Sequence, residues 1–175
     1  FGRANCGTIR GDRELAELVR ENRRISRATL PWHELESEAV RQGCSPADIF
    51  FDMEKDVWAG SDGLEYLFGI GFETGGRMEY QPLWAHSAEE EKRALEDFID
   101  LVNKRLQDHP LMHVYHYGAY EESALKRLVT RHGTRQDELD RILRGGILVD
   151  LYAVVRQGVR VSQESYSLKK VEKLY

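Results

Sequence analysis

At 175 residues, 41% apolar and 31% charged, the chain has the make-up of one globular domain that can bury a single sizeable core, and low-complexity and fibrous classes are excluded. No apolar run reaches the roughly 18 residues needed to cross a bilayer, and no charged start leads into an apolar stretch, so a cytoplasmic protein with no membrane contact is expected. The net charge of −5 is uneven: residues 44–120 carry 15 acidic against 6 basic side chains, and residues 121–175 carry 8 against 11. Such a spread fits a cation site beside a phosphate-contacting surface, and it fits ordinary solvated faces equally well.

The chain begins at Phe1 and ends at Tyr175 inside a helical pattern, so a longer parent chain is expected. Cys6 and Cys44 are isolated and have no second Cys or His at metal-ligand spacing, which predicts ordinary reduced thiols. Residues 12–43 read as helical: Leu15, Leu18, Val19 and Ile25 recur near a 3.6-residue period after Asp12, and Pro31 opens a second short helix before Gly43. Residues 1–45 are therefore taken as a helical linker or support segment, and 46–175 as the main domain.

From Ile49 the pattern turns to strands. Ile49, Phe50 and Phe51 run into Asp52, Met53 and Glu54, as in a buried strand that becomes polar at its end. After a turn rich in Gly and Asp, residues 64–72 form a second strand; Gly75 and Gly76 mark a tight turn, and residues 77–85 form a third. Ser87 and Glu90 make a capping box for a helix over 88–106, whose apolar stripe is Leu95, Phe98, Ile99, Val102 and Leu106. Residues 111–116 suit a fourth strand, and a helix follows from Tyr120 to His132. Thr134 caps another that ends before Gly145 and Gly146. ILVDLYAVV then reads as a short apolar lead-in, an Asp placed to cap (Asp150) and a helix, and SYSLKKVEKLY begins a last helix. This order predicts an α/β layer structure with a mixed sheet.

Asp52 and Glu54 lie two apart on a strand, so both side chains leave one face while Met53 points to the other. Paired carboxylates repel each other unless a cation sits between them, and a hard divalent ion such as Mg²⁺ or Mn²⁺ relieves the repulsion. As a short pattern, D-x-E is also compatible with two solvated charges at a strand end. A third acid, Glu121, stands at the first turn of the helix after the fourth strand. It reaches Asp52 and Glu54 if that strand pairs beside the first. Its neighbour Glu122 competes for the role, and the helix dipole alone favours a carboxylate at either position. His116 and Tyr120 are weaker candidates for substrate contact, and Trp58, Trp84, Tyr66 and Phe68 are expected in the core or on a sheet face.

FFDMEKD followed by GLEYLFGIGF resembles the first motif of DEDD-type 3′–5′ exonucleases. HYGAYEESALKRL is similar to their second motif, with His116 where Asn is usual, Tyr120 as the aromatic and Glu121 in place of Asp. LWAHSAEEEKRALEDF, HPLMHVYHYGAYE and SYSLKKVEKLY resemble the ribonuclease-H-like domain of RecB-like nucleases, some of which are fused to superfamily I helicases. Over residues 46–175 the resemblance implies a ribonuclease-H-like fold: a three-stranded antiparallel meander plus parallel strands, flanked by helices. It implies phosphodiester hydrolysis of DNA or RNA through two Mg²⁺ or Mn²⁺ ions. Asp52 would bridge the ions, Glu54 would orient water or hold one ion, and Glu121 would bind the second. It also implies a helicase domain of the same parent chain as a partner, and a fourth acid beyond Tyr175. The rival expectation is a catalytically silent module that keeps the fold and binds nucleic acid or docks a helicase.

Overall fold

In IFFDMEKD the residues Ile49, Phe51 and Met53 are buried and Asp52 and Glu54, alternating with the last two, are exposed, so the two-residue period builds a strand with one apolar and one wet face. This strand opens the fold in a computed structural model that describes Ser45, residues 47–158 and residues 165–171. The helices expected over 12–43, and both cysteines, lie outside the described residues. Residues 45–150 form one compact unit. The later helices α4 (Leu151–Gly158) and α5 (Leu168–Val171) belong to a second and are given only by their extents. Among the described residues no helix is long and apolar enough to cross a membrane.

The first unit runs β1 (Ile49–Asp56), β2 (Leu64–Thr74), β3 (Arg77–Trp84), α1 (Ala88–Asp108), β4 (Val114–His116), α2 (Tyr120–His132), α3 (Gln136–Arg144) and β5 (Leu148–Asp150). The sheet order is β3-β2-β1-β4-β5. β1, β2 and β3 pair antiparallel, whereas β4 pairs parallel with both β1 and β5. This is the expected α/β mixed sheet, a meander extended by parallel strands. Gly75 and Gly76 join β2 to β3 with φ of 58° and 81°, the left-handed pair that a two-residue hairpin requires. The β1–β2 register shifts between Glu54 and Lys55 and leaves Tyr66 without a partner on β1, as at a β-bulge.

All three helices of this unit contribute to one core against the same side of the sheet. Ile49, Phe51, Met53, Phe68 and Ile70 meet Leu95, Phe98, Ile99 and Val102 of α1, Leu125 and Leu128 of α2, and Ile142 of α3. The rings of Phe51 and Phe98 stack at 3.9 Å and 13°. Burying each large apolar side chain contributes about 1.5–3 kcal/mol, and this holds the helices on that face and leaves Asp52 and Glu54 on the other.

Two buried acids fasten the frame. Glu91, in the first turn of α1, accepts the Glu65 N–H at 2.7 Å and contacts Arg131 at 3.1 Å and His132 Nε2 at 2.7 Å. Glu65 on β2 takes the Tyr120 hydroxyl at 2.8 Å and pairs with Arg127 and, at 3.9 Å, with Lys55. A third buried acid, Asp48, accepts the N–H groups of Ser45 at 3.0 Å and His113 at 2.8 Å, tying the start of β1 to the segment before β4.

Several local expectations change. Of residues 111–116 only 114–116 are strand, because the Met112 N–H turns back to the His109 carbonyl and the His113 N–H is taken by Asp48. Ser87 caps α1 through the Glu90 N–H, but the Glu90 carboxylate returns to the His86 N–H, one residue before the cap. Thr134 does not cap α3: its hydroxyl goes to Glu96, and the cap position is Arg135 at φ 53°. The lead-in Leu148–Asp150 is a strand, too short to show a period of its own and recruited by pairing with β4. Trp58 is 89% exposed, outside the core and the sheet, because it sits in the turn beyond β1, where its N–H bonds Asp56.

Candidate functional site

Parallel pairing of Ile49 with Val114 and Phe50 with Tyr115 sets the start of β1 beside β4, so that Asp52, two residues beyond Phe50, lies near the point where the chain leaves β4. The chain leaves β4 at His116, bends at Gly118 with φ 111° and enters α2 at Tyr120. The bend is tied down where the Asp150 carboxylate, at the end of β5, accepts the Gly118 N–H at 2.8 Å. This route delivers Glu121, in the first turn of α2, to Asp52: their carboxyl groups lie within hydrogen-bonding reach. Glu121 is 4% exposed. Glu122 turns outward and pairs with Lys126 at 2.5 Å, so the adjacent acids have separate roles.

Partial burial, then the charges of Glu121 and Glu54, push the Asp52 carboxyl above the ordinary carboxylate range, and the Met53 N–H offsets this only in part. The Glu121 Oε2 atom lies 3.3 Å from His116 Nδ1, whose own short contact, 2.7 Å, is to the Gly118 carbonyl. Within the described structure, Glu121 Oε2 and His116 Nε2 are buried without a hydrogen-bond partner. Burial opposes the charged form of His116, but Glu121, the Gly118 carbonyl and Asp150 outweigh it and raise the pKa. His116, 3% exposed, therefore backs Glu121 from inside, and Tyr120 is anchored through its hydroxyl to Glu65.

Among the described residues no group of three His, Cys, Asp or Glu side chains is gathered to hold a metal ion. The structure brings Asp52 and Glu121 together; Glu54 shares the open face and lies near enough for its charge to act on Asp52. A divalent cation fits this pair chemically: two hard oxygen donors crowd each other, and one carboxyl is held toward its protonated form. Sequence reasoning missed Glu65, Glu91 and Asp48 as buried polar anchors. Glu91 does share the stripe spacing of Leu95, Phe98 and Val102, a usable signal.

Against known families, the RNase_H_2 model, described as RNase_H superfamily, matches residues 49–175. Comparison with curated proteins and with solved structures finds no match.

Proposed function

Because the chain belongs to the RNase H superfamily, we propose that it is a divalent-metal-dependent nuclease that hydrolyses phosphodiester bonds of DNA or RNA from the 3′ end. The supporting observation is the meeting of Asp52 and Glu121 at the wet face of β1, with Glu121 Oε2 buried 3.3 Å from His116 Nδ1. Asp52 and Glu121 are the residues that would hold Mg²⁺ or Mn²⁺. Glu54, exposed on the same face, orients the attacking water. The chemistry such ions supply when bound is a water acidified enough to attack at neutral pH and neutralised charge on the phosphoryl oxygens. His116 keeps Glu121 in place from behind, and Glu65 holds Tyr120 at the start of the same helix.

The test is digestion of 5′-labelled and 3′-labelled oligonucleotides by the full chain in Mn²⁺, beside Asp52→Asn. Mn²⁺-dependent shortening from the 3′ end, lost in the variant, is expected. Absence of cleavage under all conditions, with oligonucleotide binding retained, would instead favour a second reading: a silent RNase-H-like module that holds nucleic acid or docks a helicase. The lack of any gathered three-ligand group among the described residues favours that reading.

A further inference from the structure

Antiparallel partners place their side chains on the same face of a sheet, so the register draws rows across the open face. Glu54 pairs with Leu67 and Leu67 with Trp84; Asp52 pairs with Gly69, and Phe50 with Gly71, itself opposite Tyr80. Glu54 therefore shares a row with Trp84, while the row of Asp52 runs through Gly69 to Pro82 and lies between the Trp84 and Tyr80 rows. Trp84 and Tyr80 are 54% and 62% exposed. Neighbouring strands lie about 4.8 Å apart, so Trp84 stands about 10 Å from Glu54, one to two nucleotides away along an extended strand.

Trp84 does not stand alone. Its ring is near-parallel to that of Tyr66, at 6.2 Å and 19°, and to that of His86, at 6.5 Å and 5°. The bulge that leaves Tyr66 without a partner on β1 accompanies the first of these pairings. Tyr66 and His86 also line an open hollow of about 540 Å³ together with Lys55, Asp56 and Leu64. The exposed rings of Trp84 and His86 and the half-buried ring of Tyr66, in near-parallel array beside an open hollow, match unpaired nucleobases better than aliphatic protein side chains. Every base offers a π-face regardless of sequence.

We propose that Tyr66, Trp84 and His86 form a stacking platform for the unpaired bases of a single-stranded nucleic acid whose end lies over Asp52 and Glu54. The proposal rests on the nuclease reading for its direction but involves different residues. It gives the protein a single-stranded substrate and a sequence-tolerant grip.

The test is fluorescence anisotropy of labelled twelve-nucleotide dT and rU strands and of an abasic strand of the same length, bound to the full chain in EDTA to prevent cleavage. The chain is compared with Trp84→Ala, Tyr66→Ala and Trp84→Phe. Each alanine variant is expected to weaken binding about five- to hundred-fold, the range of one lost base stack, and Trp84→Phe to recover most of the loss. The salt dependence should not change, because no phosphate contact is removed, and the abasic strand should bind weakly to all forms. Trp84 is exposed, so unaltered thermal melting of the variants checks that folding is not at issue. Equal affinity for intact and abasic strands, or alanine variants that bind like the parent, would overturn the platform while Asp52-dependent cleavage still upheld the nuclease reading. Failure to bind any strand, together with no cleavage, would sink both.

Discussion

The carboxyl groups of Asp52 on β1 and Glu121 on α2 meet within hydrogen-bonding reach although nearly seventy residues of chain separate them. Two acids so close are held together by the parallel β1–β4 pairing and the Gly118 bend, not by attraction for each other. The arrangement therefore costs stability, and under the proposed nuclease function a bound cation is what would relieve that cost.

Replacing Asp52 by Asn should accordingly separate stability from function. In EDTA the variant should melt at the same temperature as the parent or a few degrees higher, a gain of about 1 kcal/mol or less for relieving an exposed charge. Mn²⁺ should raise the melting temperature of the parent and leave that of the variant unchanged. Calorimetric melting with and without Mn²⁺ checks both, and an equal Mn²⁺ response in the two proteins would remove Asp52 from the ligands.

The pH dependence follows from the direction of two shifts. Asp52 and His116 both hold their protons more tightly in the folded state than in the unfolded chain. The stability each contributes is complete below its unfolded pKa, about 4 for Asp and about 6.5 for His, and is lost as pH rises through the higher folded value. In EDTA, the melting temperature of the parent relative to Asp52→Asn should fall as pH rises from about 4 to neutrality. A difference that is flat or rises over that window would contradict the shift.

The neighbouring acids of α2 should behave oppositely. Glu121→Gln removes a carboxylate facing Asp52 and should reduce nuclease turnover at least about a hundredfold, as expected for the loss of a metal ligand. Glu122→Gln breaks only an exposed pair with Lys126 and should leave turnover within about twofold and stability within about 0.5 kcal/mol. Steady-state assays of both variants decide, and comparable losses would mean that the first turn of α2 as a whole, and not Glu121, matters.

Glu91 is a structural anchor and should respond as one. Glu91→Ala leaves Arg131, His132 and the Glu65 N–H without their shared acceptor beneath the sheet, at a cost of about 3–5 kcal/mol. Phe98→Ala should cost about the same, by opening a cavity against Phe51. Urea unfolding of each variant measures the change; less than about 1 kcal/mol for Glu91→Ala would mean that the network around it is replaceable by water.

Where one period runs along a segment, the chain's own pattern was enough. Alternation in β1, the glycine pair between β2 and β3, the Leu95–Phe98–Val102 stripe of α1 and the Tyr120–His132 helix are legible because a strand shows its two faces and a helix its stripe without reference to anything distant. The candidacy of Asp52, Glu54 and Glu121 was legible for the same reason, since the first two break the apolar run of a strand by alternation and the third stands in the first turn of a helix.

What the tertiary structure decided are the choices that local patterns leave equal. Glu121 and Glu122 have the same chemistry and the same helical turn, and only the direction of α2 against β1 buries one and exposes the other. Leu148–Asp150 becomes a strand because β4 offers it an unpaired edge, and Thr134 abandons its capping role because Glu96 lies within reach. Glu65 and Glu91 become buried anchors only once Arg127, Arg131 and His132 arrive from another helix, for a charge can leave water when its partners are fixed in place, and partners distant in the chain are fixed by packing.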